Sequence, residues 1–170
     1  VTKFDTAEFK VKVAAEVKDF DPSRYMEKAE LRKYDVFCQY ALAAAAQAVE
    51  TSRIQGYLPS EEIGVYFGSG IGGIGTFEEQ QKLMLEKGPR RVSPFFIPAL
   101  IINMAGGLIA IKYDFQGAAV SSVTACATGN NAIGEAYRAI KHGYLTAALA
   151  GGAEAAIVPL GLAGFSNMKA

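Results

Sequence analysis

Residues 123–131 have the sequence Val-Thr-Ala-Cys-Ala-Thr-Gly-Asn-Asn, in which Cys126 lies between an apolar run and a helix-forming run that ends at His142. A thiol on such a strand-to-helix turn lies near the positive end of the helix dipole, which favours the thiolate. The small neighbours of Cys126 leave space for an acyl carbon, and its backbone N–H is free to face an oxyanion. The pattern therefore predicts a nucleophile, although spacing alone leaves open a buried structural cysteine.

Strand-like and helix-like patterns alternate along the chain. Predicted strands cover the first half of residues 9–17 and residues 63–68, 120–124 and 147–150, and predicted helices cover residues 33–51, 76–87, 98–113 and 130–142. The short apolar strands on either side of the helix after Cys126 predict a parallel βαβ unit. We therefore expect an α/β fold whose sheet is covered on both faces.

Composition excludes several classes of protein. The 170 residues are 51% hydrophobic and 20% charged, which is enough apolar material for one sizeable core. Seventeen basic and seventeen acidic residues cancel, so nothing global predicts a nucleic-acid or membrane partner. The two cysteines lie at dissimilar sites, and the first segment has no continuous apolar run. These features predict a cytoplasmic protein without disulfides. The longest apolar run, residues 95–111, contains Pro98 and paired glycines and predicts a buried helix rather than a membrane span.

A glycine loop follows the predicted strand at residues 63–68. Residues 68–73 are Gly-Ser-Gly-Ile-Gly-Gly, which fits the pattern of a dinucleotide-binding turn. That function also requires an acidic residue about 20 positions further on, and residues 91–96 contain none. The pattern therefore favours a loop that brings the backbone and Ile71 close to a substrate.

Several motifs, taken together, resemble those of the β-ketoacyl-acyl-carrier-protein synthases of type II fatty acid synthesis. They occur in the family's order from end to end: Phe20-Asp21-Pro22, Gln39-Tyr40-Ala41, the glycine loop at 68–73, Ser93-Pro94-Phe95-Phe96-Ile97-Pro98, residues 123–134, Ala150-Gly151-Gly152-Ala153-Glu154 and residues 159–165. The resemblance implies a thiolase-like fold of alternating helix and sheet layers. It also implies that residues 1–170 form most of the N-terminal half, with a first strand and the C-terminal half outside this sequence.

The resemblance implies decarboxylative Claisen condensation. Cys126 would take an acyl group from acyl carrier protein, and malonyl carrier protein would then extend it by two carbons. Two histidines, a lysine and a second oxyanion-hole amide would come from outside these residues, so the chain alone is expected to be inactive. The single histidine, His142, is expected to be an exposed helix-end residue. No metal, nicotinamide or flavin is implied, because the substrates are carried on phosphopantetheine.

The resemblance also assigns binding residues. Ile71, Gly161 and Phe165 would line the acyl pocket. Phe96 and Ile97 would close the pocket of the neighbouring subunit in a homodimer whose strands 119–124 pair, although simple core packing is the alternative for this apolar segment. The basic side chains at helical spacing would dock acyl carrier protein, unless they are only solvated surface. These docking candidates are Lys28, Arg32 and Lys33.

Three other functions remain open at this point. A thiolase would share the fold and the nucleophile but not the full set of flanking motifs. A dinucleotide-dependent oxidoreductase is disfavoured by the missing acidic residue. A carrier-protein-binding module without catalysis would fit if these residues were the whole product.

Overall fold

The computed structural model describes residues 1–169, which form a parallel sheet between helices. The strands are β1 (Ile63–Gly68), β2 (Ala119–Val120) and β3 (Ala147–Gly152), in the spatial order β2-β1-β3. β1 pairs with β3 along its whole length, from Ile63 opposite Ala147 to Gly68 opposite Gly152. The α/β class predicted from the sequence is therefore confirmed.

Seven α-helices are present in the described residues. They are α1 (Lys28–Leu31), α2 (Val36–Ser52), α3 (Ile74–Lys87), α4 (Phe96–Leu100), α5 (Met104–Tyr113), α6 (Thr128–Lys141) and α7 (Pro159–Met168). Short 3-10 turns cover Pro22–Arg24, Ser60–Glu62 and Pro89–Arg91. None of the helices in residues 1–169 is both long and apolar enough to cross a bilayer.

The central strand β1 is buried along its whole length. Because side chains alternate along a strand, Ile63, Val65 and Phe67 pack on one face in a core that includes residues of α2 and α5. Tyr66 packs on the other face against small side chains of α6. The prediction of a sheet covered on both faces is confirmed at β1.

The strand predicted in the first half of residues 9–17 was wrong, and the strand predicted at 120–124 was wrong in part. Residues 9–17 form no strand, and Val13 is 79% exposed, because no neighbouring strand pairs with this segment in the described residues. The strand predicted at 120–124 is shorter and covers only Ala119 and Val120. Immediately after it, the Ser121 hydroxyl donates to the carbonyl of Phe67 at 2.7 Å, so a side chain occupies the acceptor that a longer ladder would use.

The single buried helix predicted at residues 98–113 is two helices, α4 and α5. The carbonyl of Leu100 accepts a hydrogen bond from the Gly73 N–H at 3.1 Å, and Ile101 then adopts an extended conformation. A continuous helix would need that carbonyl for the N–H four residues later. The second helix is buried only on one side, because Ile109 is inaccessible whereas Ile111 is 80% exposed.

A buried carboxylate joins α2 to α3. Asp35 caps α2, and its Oδ1 accepts from the Phe37 N–H at 3.2 Å. Its Oδ2 accepts from the Thr76 N–H at 2.8 Å and from the Thr76 hydroxyl at 2.7 Å. Because α3 begins directly after the glycine loop, Asp35 fixes the position at which that loop ends.

Candidate active site

Cys126 is exposed on the turn that leads into α6, as the sequence predicted. The Thr128 hydroxyl donates to the Ala125 carbonyl at 2.7 Å and accepts from the Thr124 N–H at 2.9 Å. The Thr128 N–H also donates to the Ala125 carbonyl, at 3.1 Å. None of these bonds uses the N–H of Cys126, so that amide stays available to an oxyanion.

The residue before the cysteine has an unusual backbone conformation. Ala125 has a φ of 52°, in the left-handed region. A non-glycine residue pays about 1 to 2 kcal/mol for this conformation, and the buried Thr128 side chain holds it in place. Sequence reasoning did not predict this feature, since alanine carries no signal for a positive φ.

A cavity of about 680 Å³ opens next to Cys126. Its wall contains two of the residues predicted to line an acyl pocket, Ile71 from the glycine loop and Phe165 from α7. Met168, which sequence reasoning did not select, completes the apolar wall on α7. The volume lies within the range of ordinary small-molecule sites. The structure thus brings together a thiol and an apolar space beside it.

Ile71 also borders a second apolar space. A groove of about 420 Å³ lies between Ile71 and the segment Leu100–Ile102, with Val123 on its other side. Ile71 is 37% exposed, and it is the residue shared by the groove and the Cys126 cavity. A chain that extends from Cys126 into the groove must therefore pass this side chain.

The glycine loop is held by Glu154. One carboxylate oxygen accepts from the Ser69 hydroxyl at 2.9 Å. The other accepts from the Gly70 N–H at 2.8 Å and from the Ile71 N–H at 3.1 Å. Sequence reasoning assigned no role to Glu154, although its position four residues after the strand predicted at 147–150 was a usable signal, since parallel strands end at the same edge.

The glutamate also bears on the dinucleotide alternative. In a dinucleotide site the loop N–H groups bind the pyrophosphate. Here the N–H groups of Gly70 and Ile71 already donate to the carboxylate of Glu154, and a second anion at this place would be repelled. The contact thus argues against pyrophosphate binding at this loop. The absence of any cofactor stays a prediction.

Gly161 is buried in α7 and does not line the Cys126 cavity. A methyl group at this position would lie 2.2 Å from the carbonyl oxygen of Ala156, so the glycine permits close approach of α7 to the preceding segment. The contacts therefore show a role in placing the helix that carries Phe165. Direct contact of Gly161 with an acyl chain stays a prediction.

Phe96 and Ile97 begin α4 and do not line the Cys126 cavity. Ile97 is 57% exposed, as a residue that meets a partner would be. The adjacent Phe95 has its ring under the Nζ of Lys33, with 5.7 Å from that nitrogen to the ring centroid. The closure of a neighbouring pocket by Phe96 and Ile97 is untested and stays a prediction.

The predicted docking residues lie on and just after α1. Lys28 and Arg32 are exposed, and Lys33 is partly buried through its contact with Phe95. The only ion pair in residues 1–169 is Arg138–Glu135 on α6, so none of the three basic side chains is neutralised by a salt bridge there. Lys28, Arg32 and Lys33 form a basic surface. Because Lys33 contacts Phe95, this basic surface adjoins the apolar segment at 95–97.

His142 caps the C-terminal end of α6, as predicted. The helix has 14 residues, so its ends are about 21 Å apart at the usual rise per residue. His142 cannot reach a group bound at Cys126. Within residues 1–169 there is also no cluster of three His, Cys, Asp or Glu side chains that could hold a metal ion.

The fold and this site define an α/β protein with an exposed cysteine on a strand-to-helix turn. The profile of the family described as "Beta-ketoacyl synthase, N-terminal domain" matches residues 3–170. The chain belongs to the β-ketoacyl synthase family, which confirms the resemblance inferred from its motifs.

Curated relatives agree with this assignment. The chain is 44% identical over its whole length to a 3-oxoacyl-(acyl-carrier-protein) synthase 2 of Synechocystis sp. and 46% identical to one of Coxiella burnetii. It covers 41% of the length of each relative.

Solved structures confirm the thiolase-like fold. The ishigamide ketosynthase/chain length factor superposes with a TM-score of 0.88 at 28% identity, over 100% of this chain and 43% of that chain. A type II PKS acyl-carrier protein in complex with its ketosynthase, bound to the hexaketide, gives a TM-score of 0.84 at 27% identity, over 90% of this chain and 44% of that chain.

Proposed function

We propose that this chain supplies the nucleophile and part of the acyl pocket of a condensing enzyme of type II fatty acid synthesis. The observation that carries the proposal is the exposed Cys126 thiol beside a cavity whose wall contains Ile71 and Phe165. An acyl group bonded to this sulfur would have an apolar space for its chain. The names of the curated relatives support the same reaction.

The first step is acyl transfer. The Cys126 thiolate attacks the carbonyl carbon of an acyl thioester on acyl carrier protein and forms a new S–C bond. The C–S bond to the carrier then breaks, and the carrier leaves as a thiolate that takes up the proton lost by Cys126. The oxyanion that develops is stabilised by the free N–H of Cys126. Forming this intermediate divides one difficult C–C bond formation into two easier steps.

The second step forms the C–C bond. Malonyl carrier protein loses carbon dioxide, and the electrons of the broken bond give an enolate. The enolate carbon attacks the acyl carbonyl, the S–C bond to Cys126 breaks, and a 3-oxoacyl product two carbons longer leaves. The residues that stabilise the enolate come from the remaining part of the enzyme, since His142 lies at the far end of α6.

Two kinds of partner belong to this proposal. Acyl carrier protein is acidic in the family, so Lys28, Arg32 and Lys33 would dock it, and one structural neighbour is a ketosynthase in complex with an acyl-carrier protein. A second copy of the enzyme would pair with β2, whose residues Ala119 and Val120 are exposed. Sedimentation velocity of the complete protein tests the homodimer.

We also place the reaction in the cytoplasm. The two thiols, Cys38 and Cys126, are free, one buried and one exposed. A reducing compartment would keep an exposed nucleophilic thiol from being oxidised, which would block it.

The test uses the complete enzyme that carries this domain, incubated with an acyl carrier-protein donor and malonyl carrier protein. We expect a 3-oxoacyl product two carbons longer, detected by mass spectrometry, and no product from Cys126→Ala. Cys38→Ala, which removes the other thiol, is the matched control and should retain activity. Product formation by Cys126→Ala would contradict the proposal. Condensation of two acyl thioesters without a malonyl group would instead favour a thiolase.

A further inference from the structure

We propose that Glu154 is a positioning residue that holds Ile71 between the two apolar spaces and so makes acylation of Cys126 depend on acyl-chain length. The inference rests on the proposed function and concerns the same site. It assigns a task to a carboxylate that forms no part of the cysteine turn.

The geometry of the loop carries the first step. Glu154 accepts three hydrogen bonds, from the Ser69 hydroxyl and from the N–H groups of Gly70 and Ile71, at 2.9, 2.8 and 3.1 Å. The Ser69 hydroxyl oxygen in turn accepts from the Gly72 N–H at 3.0 Å. A single carboxylate therefore organises four consecutive loop residues, directly or through Ser69.

The loop needs such an anchor. Glycines at four of its positions allow many backbone conformations, and Gly72 has a φ of 77° that other residues rarely adopt. On its C-terminal side the loop is fixed by the Leu100 carbonyl at Gly73 and by the Asp35 carboxylate at Thr76. In the part of the loop between β1 and these contacts, the Glu154 carboxylate accepts a hydrogen bond from the backbone N–H of Ile71.

The charge of Glu154 is used in these bonds. No salt bridge involves Glu154 in the described part of the chain, so its partners are the three loop donors rather than a lysine or arginine. Hydrogen bonds to an ionised acceptor are shorter and stronger than neutral ones. The anchor should therefore weaken when the charge is removed.

The position of Ile71 connects the anchor to chain length. Ile71 is shared by the Cys126 cavity and the groove formed by Leu100–Ile102 and Val123. A short acyl chain fits in the cavity alone, whereas a longer one must displace Ile71 to enter the groove. Loss of the anchor should therefore help long donors more than short ones.

The experiment measures acylation of Cys126 in the complete enzyme by intact mass, with a series of acyl carrier-protein donors of increasing length. For Glu154→Ala we expect the ratio of long-chain to short-chain acylation rates to rise by about tenfold, the effect of losing the charge-assisted hydrogen bond from the Ile71 N–H. Glu154→Gln keeps a neutral acceptor for the two N–H groups, so its ratio should stay closer to the wild-type value than that of Glu154→Ala. Glu50→Ala removes an exposed carboxylate on α2 and is the matched control.

A second measurement reports the loop without any substrate. Amide hydrogen exchange at Gly70 and Ile71 should accelerate most in Glu154→Ala, accelerate less in Glu154→Gln, and stay near wild type in Glu50→Ala. An equal loss of acylation at every chain length, an unchanged ratio, or unchanged exchange at these amides would overturn the inference. If none of the donors acylates the wild-type enzyme, the proposed function fails instead, and the length dependence assigned to Glu154 fails with it.

Discussion

Ile71 and Cys126 line one cavity of about 680 Å³, although one follows β1 and the other precedes α6. The parallel sheet produces this proximity, since β1 and β2 end at the same edge and the loops after them meet there. The size of one side chain on the glycine loop should therefore control what reaches the thiol.

Replacing Ile71 with a larger residue tests that relation. Ile71→Phe should obstruct the passage from the cavity to the groove, so long acyl donors should acylate Cys126 more slowly while short donors still react. Acyl-enzyme formation with donors of graded length is the measurement. Ile111→Phe, at a position that is 80% exposed on α5, is the control. An unchanged length profile would remove Ile71 from the pocket.

The two thiols should differ strongly in reactivity. Burial, assisted by the nearby Asp35 carboxylate, raises the pKa of the Cys38 thiol. Cys38 therefore stays protonated where an ordinary thiol begins to ionise, whereas Cys126 is exposed at a helix start. We expect limited iodoacetamide treatment at about pH 8 to label Cys126 first, as measured by peptide mapping. Equal labelling, or faster labelling of Cys38, would count against Cys126 as the nucleophile.

Asp35 should be important for stability. Asp35→Ala removes the cap of α2 and leaves the Thr76 donors without their acceptor, which should lower the free energy of unfolding by about 2 to 4 kcal/mol. Asp35→Asn retains an acceptor, so its free energy of unfolding should fall by less than that of Asp35→Ala. Urea unfolding of the complete protein measures both. Asp21→Ala, which removes the exposed cap of a three-residue turn, is the control, and a loss there as large as in Asp35→Ala would contradict this account.

The basic surface should matter only for donors carried on a protein. In Lys28→Gln/Arg32→Gln, KM for an acyl carrier-protein donor should rise by a factor of about 3 to 10, because rim charges mainly change association. A small-molecule thioester donor should be unaffected. Lys141→Gln, on α6, provides the control for loss of a surface charge. Equal effects on both kinds of donor would show that these residues do not dock the carrier.

Local sequence patterns predicted the parts of the fold that depend on local structure. β1 has the predicted bounds, Ile63–Gly68, because a continuous apolar run between turn signals is typical of a buried parallel strand. The cysteine turn and the C-terminal end of α6 were also predictable, since a thiol before a helix and a glycine after it are local signals.

Contacts between distant segments were not predictable in this way. The break between α4 and α5 depends on a hydrogen bond from Gly73 to Leu100, and the anchor of the glycine loop depends on Glu154. Neither partner is close in sequence to the residue that it holds. The alternation at residues 9–17 resembled a strand, but a strand requires a neighbour that the pattern itself does not supply.

The central claim is that Cys126 carries the acyl group. The most direct test is to mix the complete enzyme with an acyl carrier-protein donor in the absence of malonyl carrier protein, digest it, and locate the added acyl mass by tandem mass spectrometry. We predict one acyl group on the peptide that contains Cys126, released by hydroxylamine as a thioester and absent from Cys126→Ala. Acyl mass on another residue, or on Cys126→Ala at the wild-type level, would contradict the account.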